Sequence, residues 1–155
     1  MSHIHFTSSQ AHKKRVEQLG EDPKLVFNVG APGVEAIKKV NLLSKKDTEN
    51  LLDIKLSDKT LLITLHPETL ENKISPEDQI NNLLKALHSI NNASFVFTMA
   101  NADPGGEIIN QRIKNFVADH SEKAYLFPSL GQIKYLSVLK HSYAMIGNSS
   151  SGLIE

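Results

Sequence analysis

This chain of 155 residues predicts an α/β fold, a Rossmann-like parallel sheet with helices on both faces. Three observations predict it. Short apolar runs alternate with segments of helical periodicity, which is the pattern of βαβ units. Counting from Lys24, five such runs are separated by helices. Each run also ends on a polar or glycine-bearing segment, as strands do when their carboxyl ends open onto a ligand crevice.

The elements follow in order. Ile4-His5-Phe6 is a short strand. Ser8 to Leu19 reads as a helix, with Ser8 or Ser9 as N-cap and Gly20 just past its end. Lys24 to Val29 reads as a buried strand, followed by the turn Gly30-Ala31-Pro32-Gly33. Pro32 suits the first position of a helix over Val34 to Val40. Ser44 starts the next helix, Lys46 to Asp53. Thr60 to Leu65 is an apolar strand that stops at His66-Pro67, where proline ends the ladder.

Ser75-Pro76-Glu77-Asp78 is a helix start: a serine cap, proline at the first position and acidic residues in the first turn. Ile80, Leu83, Leu84 and Leu87 then recur at helical spacing up to about Ile90. Phe95 to Met99 is a strand. It leads into Asn101-Ala102-Asp103-Pro104-Gly105-Gly106 and a helix, Glu107 to Val117, with Ile108, Ile109, Ile113 and Phe116 on its buried side. Tyr125 to Phe127, a helix over Gln132 to His141 and the strand Tyr143 to Ile146 complete the pattern.

Composition excludes several classes of function. Lysine plus arginine and aspartate plus glutamate both number 17, so there is no electrostatic footprint for nucleic acid or an anionic membrane. No apolar run approaches the ~20 residues of a bilayer span. The first residues lack the basic and apolar pattern of a signal peptide. The absence of cysteine excludes disulfides and thiolate metal sites and fits the cytoplasm. Of the seven histidines, His3, His5 and His12 lie near the start and four are scattered; His3 and His5 would share one face of a strand, but no carboxylate follows them at ligand spacing. No metal and no cofactor are expected.

The strand ends hold the candidate functional residues. His66 leaves an apolar strand at the crevice, where an imidazole can bond a phosphate oxygen or act as acid or base. It can equally cap the following loop. The Asn101 to Gly106 segment can read a ribose or a base, although asparagine, aspartate, proline and glycine are also ordinary turn residues. Ser149-Ser150-Ser151 leads into a helix start, where hydroxyls and free N–H groups suit a phosphate. The alternative is a plain serine cap. Glu155 is placed to bond a sugar hydroxyl, or is a first-turn carboxylate favoured by the helix dipole. Gly30-Ala31-Pro32-Gly33 lacks the dinucleotide fingerprint, and Pro32 removes a donor.

Several of these strand ends together carry a family pattern: Gly-Ala-Pro-Gly, His66-Pro67, Asn101-x-Asp103-x-Gly105, and Met145-Ile146-Gly147-Asn148-Ser149-Ser150-Ser151-Gly152-Leu153-Ile154-Glu155. This resembles the UDP-N-acetylglucosamine 2-epimerases, most of all the hydrolysing branch that feeds sialic-acid-type sugar synthesis. Ser2-His3-Ile4-His5-Phe6 also looks like the segment that closes the family's N-terminal domain. The resemblance covers essentially the whole chain.

It implies two Rossmann-like domains in a GT-B-like architecture. Residues 1–22 would be the tail of the first domain, and 23–155 an incomplete second domain that binds the nucleotide. By the same match, His66 contacts the diphosphate or substrate and is the catalytic residue present here. Asn101 contacts substrate, Ser149 and Ser150 bind phosphate oxygens, and Glu155 binds the ribose. The family's acid and base carboxylates fall mostly in the first domain. The chain stops in a helix barely begun and is expected to be part of a larger, homo-oligomeric enzyme, inactive by itself.

The implied reaction takes UDP-N-acetylglucosamine to N-acetylmannosamine and UDP. A UDP-N,N'-diacetylbacillosamine donor is the first alternative. A GT-B glycosyltransferase is the second, and a nucleotide-binding module without activity is the third.

Overall fold

The computed structural model describes residues 2–68 and 74–154, and these divide into two compact units. The described part of the first is residues 2–40 with Ile154, and the second is Asn41–Leu153.

The first unit is a βαβ element. Strand β1 (His5–Thr7) lies parallel to β2 (Val26–Asn28), and helix α1 (Gln10–Gln18) forms the crossover. The Ser9 hydroxyl caps α1 by accepting from the His12 N–H at 3.2 Å. A 3-10 turn, Pro23–Leu25, precedes β2, and its Asp22 cap accepts from the Lys24 N–H at 2.9 Å. Helix α2 (Pro32–Lys39) follows, with Pro32 at its start. Val26 is buried, whereas Phe27 is exposed and sits in register with exposed Phe6, ring centroids 5.8 Å apart.

The second unit begins with α3 (Lys45–Leu52), capped by Ser44 and closed by Asp53 in the left-handed region at φ 52°. Four parallel strands follow: β3 (Thr60–Thr64), β4 (Ser94–Thr98), β5 (Ala124–Phe127) and β6 (Ala144–Gly147), in the order β5-β4-β3-β6. Between them run α4 (Pro76–His88), α5 (Gly106–Asp119) and α6 (Gly131–His141). A short α7 (Ser151–Ile154) comes last.

Both central strands are buried at every residue, as expected of parallel strands covered on two faces. Leu61, Ile63, Phe95 and Phe97 pack against Ile80 and Leu87 of α4 and Ile109, Ile113 and Phe116 of α5. On the opposite face Leu62 and Val96 pack with Ile54, Leu56, Leu130 and Val138. The segment before α3 is tied to α6 by side chains: the Leu43 N–H donates to Ser137 Oγ, and His141 Nε2 donates to the Leu43 carbonyl, both at 3.0 Å.

Two expectations are corrected. The five strands counted from Lys24 do not form one sheet, because Val26–Asn28 bonds to His5–Thr7 instead. The second strand carries its ladder and its aromatic partner with it into the first unit. Lys24 to Val29 is also not a buried strand, since only Val26 of β2 is enclosed.

From β3 the chain builds outward through β4 to β5, then returns to place β6 on the other side of β3. The strand order therefore reverses between β3 and β6. In an open parallel sheet, the crevice for ligand lies at the carboxyl ends on either side of such a reversal.

Candidate functional site

The reversal brings the end of β3 against the end of β6. Backbone pairing between them stops at Thr64 and Gly147. Beyond it, a side chain continues the ladder. The His66 N–H donates to Asn148 Oδ1 at 2.8 Å, and Asn148 Nδ2 donates to the His66 carbonyl at 2.8 Å. One amide thus satisfies both backbone groups of the residue that leaves the sheet, which would otherwise seek water or a further strand.

Gly147 makes this approach possible. Its φ is 142°, and a Cβ there would lie 1.8 Å from the Thr64 carbonyl oxygen. No side chain fits, so β6 can come this close to β3 only through glycine.

The end of β4 is built in a similar way. The Ala100 N–H donates to Asn110 Oδ1 at 2.8 Å, and Asn110 Nδ2 donates to the Ala100 carbonyl at 3.2 Å. Asn110 lies on α5, so the helix holds the turn that precedes it. Gly106 brings the two together: a Cβ on it would lie 2.2 Å from the Asn101 carbonyl oxygen. Gly105, at φ 91°, sits against Pro76 and Pro67, where a Cβ would meet Pro76 Cγ at 2.8 Å. At the ends of β3 and β4, the Thr64 and Thr98 hydroxyls share a buried hydrogen bond of 2.6 Å.

These two turns meet at one ring. The Asn101 N–H donates to His66 Nδ1 at 3.3 Å. Thus His66 and Asn101, singled out independently in the sequence, are directly bonded. The Asn101 side chain is exposed, and the turn it belongs to lines a cleft of about 570 Å3. Asp103, Glu107, Asn110 and Lys114 contribute polar groups to that cleft.

The serine run divides. Ser149 Oγ and Ser151 Oγ are 3.2 Å apart, and the Ser151 hydroxyl also bonds to the Tyr135 hydroxyl of α6. Ser150 is exposed. Helix α7 begins at Ser151, the last serine of the run. Gly152 leaves room for Met145, whose Sδ would be 2.9 Å from a Cβ. Glu155 lies outside the described residues. Among the described residues, no three histidine or acidic side chains converge as a metal site would require.

Asn148, Asn110 and Tyr135 were not picked out individually in the sequence. Asn148 had a signal, since it sits between Gly147 and three serines at a strand end. Asn110 and Tyr135 lie inside helices and look like ordinary surface positions.

An open parallel sheet with helices on both faces and a reversal of strand order defines an α/β protein of the doubly wound, Rossmann-like class. The chain belongs to the UDP-N-acetylglucosamine 2-epimerase family, whose model matches residues 1–155. Among curated relatives, a GDP/UDP-N,N'-diacetylbacillosamine 2-epimerase (hydrolyzing) of Campylobacter jejuni subsp. jejuni serotype O:2 is 50% identical over 155 residues, which are 100% of this chain and 40% of the relative. The polysialic acid biosynthesis protein P7 of Escherichia coli is 42% identical over 156 residues, covering 100% of this chain and 39% of that protein. The solved UDP-GlcNAc 2-epimerase of Neisseria meningitidis, bound to UDP-GlcNAc, superposes with a TM-score of 0.71 at 17% identity. That match covers 96% of this chain and 40% of that one. The chain spans about 40% of the length of these relatives.

Proposed function

We propose that this chain supplies the nucleotide-holding part of a hydrolysing UDP-sugar 2-epimerase. The carrying observation is the joining of His66, the Asn101 turn and the Gly147–Asn148 strand end at the reversal of strand order. Family membership and the names of the relatives support the reading. Because the match spans about 40% of each relative, the activity is assigned to the complete protein. In that protein residues 1–22 would be the tail of the domain that precedes them in sequence, and 23–155 an incomplete nucleotide-binding domain.

In the proposed reaction a base removes the proton at C2 of the sugar. The C1–O bond breaks, and its electron pair leaves with UDP, giving a glycal. Water then adds across the double bond, with hydroxyl at C1 and a proton at C2 on the opposite face. The sum is UDP-sugar plus water to the free 2-epimeric sugar plus UDP. Negative charge grows on the departing diphosphate, and preorganised donors aimed at that charge lower the barrier. His66 is proposed to meet the diphosphate, Asn101 the substrate, Ser149 and Ser150 the phosphate oxygens, and Glu155 the ribose.

UDP-N-acetylglucosamine is the first donor proposed, with N-acetylmannosamine as product. The 50% identity to the Campylobacter protein favours the diacetylbacillosamine donor as a second reading. The test incubates the complete protein with UDP-N-acetylglucosamine, UDP-N,N'-diacetylbacillosamine and its GDP counterpart, without acceptor. Release of nucleoside diphosphate together with a free 2-epimerised sugar is expected, and the preferred donor decides between the two readings. No release from any donor, or transfer only when an acceptor is added, overturns the proposal.

A further inference from the structure

We propose that Asn148 is a positioning residue for His66, and that with the Asn101 N–H it presents His66 as a neutral ring with its proton on Nε2. His66 then acts as a hydrogen-bond donor to a phosphate oxygen of a nucleoside diphosphate, and not as the base that takes the sugar proton. The identity of the ligand rests on the function proposed above; the state and support of the ring do not.

A backbone N–H can only donate, so the contact from Asn101 requires a lone pair on His66 Nδ1. A neutral imidazole with a bare Nδ1 carries its proton on Nε2. A doubly protonated ring would turn N–H against N–H and lose this bond. A ring in the Nε2–H state has no lone pair left at Nε2 with which to abstract a proton. What it offers there is a donor, and a fixed neutral donor beside a growing oxyanion is an established way to stabilise charge. The step changes no covalent bond at the ring, so the base that removes the C2 proton is a different group.

The tautomer is useful only if the ring is held, and its supports come from three strands. Asn148 grips the His66 backbone on both sides from the end of β6. Gly147 fixes where Asn148 begins, because its Cα sits against the Thr64 carbonyl of β3. At the end of β4, the Asn110 amide holds Ala100, and Gly106 presses on the Asn101 carbonyl. The Asn101 N–H therefore points at Nδ1 from a turn that is itself anchored. Loss of the Asn148 amide frees the His66 backbone while leaving the Asn101 turn intact. The ring should then drift from its donor, and displacement on the order of 1 Å at a reacting centre costs roughly 100-fold in rate.

The test uses the complete protein labelled with 15N-histidine. Long-range proton–nitrogen correlation is expected to show His66 protonated on Nε2 and bare on Nδ1. A proton on Nδ1, or equal populations of the two tautomers, overturns the proposal. Asn148→Ala is expected to mix the tautomers and to lower kcat about 10- to 100-fold, with KM for the UDP-sugar changed less than about 3-fold, because the bond strengthens with the charge of the transition state. Asn148→Asp keeps the acceptor for the His66 N–H, loses the donor, and should fall between. If Asn148→Ala does not fold, the wild-type spectrum and the aspartate variant still decide. An unchanged tautomer and kcat in both variants overturns the inference. If no UDP-sugar is turned over while the tautomer is present in the wild type and lost in Asn148→Ala, the functional reading has failed and this one stands.

Discussion

The turns that follow β3 and β4 solve one problem with the same chemistry in different surroundings. Each strand ends on a residue whose N–H and carbonyl lack a neighbour, and each is met by an asparagine amide that serves both. At β4 the clamp is internal: Asn110 belongs to the helix that follows, and Ala100 is buried. At β3 the clamp comes from a distant part of the chain, 82 residues on, and Asn148 is exposed. The hydrogen bonds are alike, so the difference isolates what burial does. Around Ala100 a lost partner leaves backbone groups shut away from water. Around His66 water can replace the amide, and what is lost is position.

The largest effect is expected where no relaxation is available. Gly147→Ala forces a Cβ to within 1.8 Å of the Thr64 carbonyl at a φ of 142°. Steric and conformational costs together come to about 3 kcal/mol or more. Denaturant unfolding of the complete protein should show it, and a loss under about 1 kcal/mol would mean that β6 does not need this close approach. Asn110→Ala comes next. It strands the N–H and carbonyl of buried Ala100, at about 1–3 kcal/mol, read as a lower denaturation midpoint.

Asn148→Ala should cost about 1 kcal/mol or less by the same measurement, since exposed groups find water. If it destabilises as much as Asn110→Ala, the contrast between the turns collapses. Smallest is the exposed ion pair between Arg112 of α5 and Glu77 of α4. Arg112→Ala should change stability by only about 0–1 kcal/mol, and the change should vanish in high salt. It should leave kcat unaltered, which makes it the control for the Asn148 variant.

Much of this arrangement was legible in the sequence where short-range chemistry decides. Ser75-Pro76-Glu77-Asp78 starts α4 as read, with the Ser75 hydroxyl accepting from the Asp78 N–H at 3.1 Å. Periodicity placed Ile109, Ile113 and Phe116 in the core. Strand pairing is a long-range choice that apolar runs do not encode, so the separation of Val26–Asn28 from the main sheet was not visible. His66 and Asn101 stood out as polar residues at strand ends. That one donates to the other depends on β3 and β4 being neighbours. Asn110 was hidden because its partner is a backbone, and backbone partners leave no mark on composition.

The amide rung at Asn148 has a consequence for how this end of the sheet can vary. A rung made of main chain is common to every sequence and cannot be removed by substitution. A rung made of a side chain is removed by changing a single codon, while the buried rows of β3 and β4 stay as they are. The placement of the histidine at the crevice can therefore be altered independently of the core that carries it. The fold keeps its stability in one set of residues and the aim of the His66 ring in another.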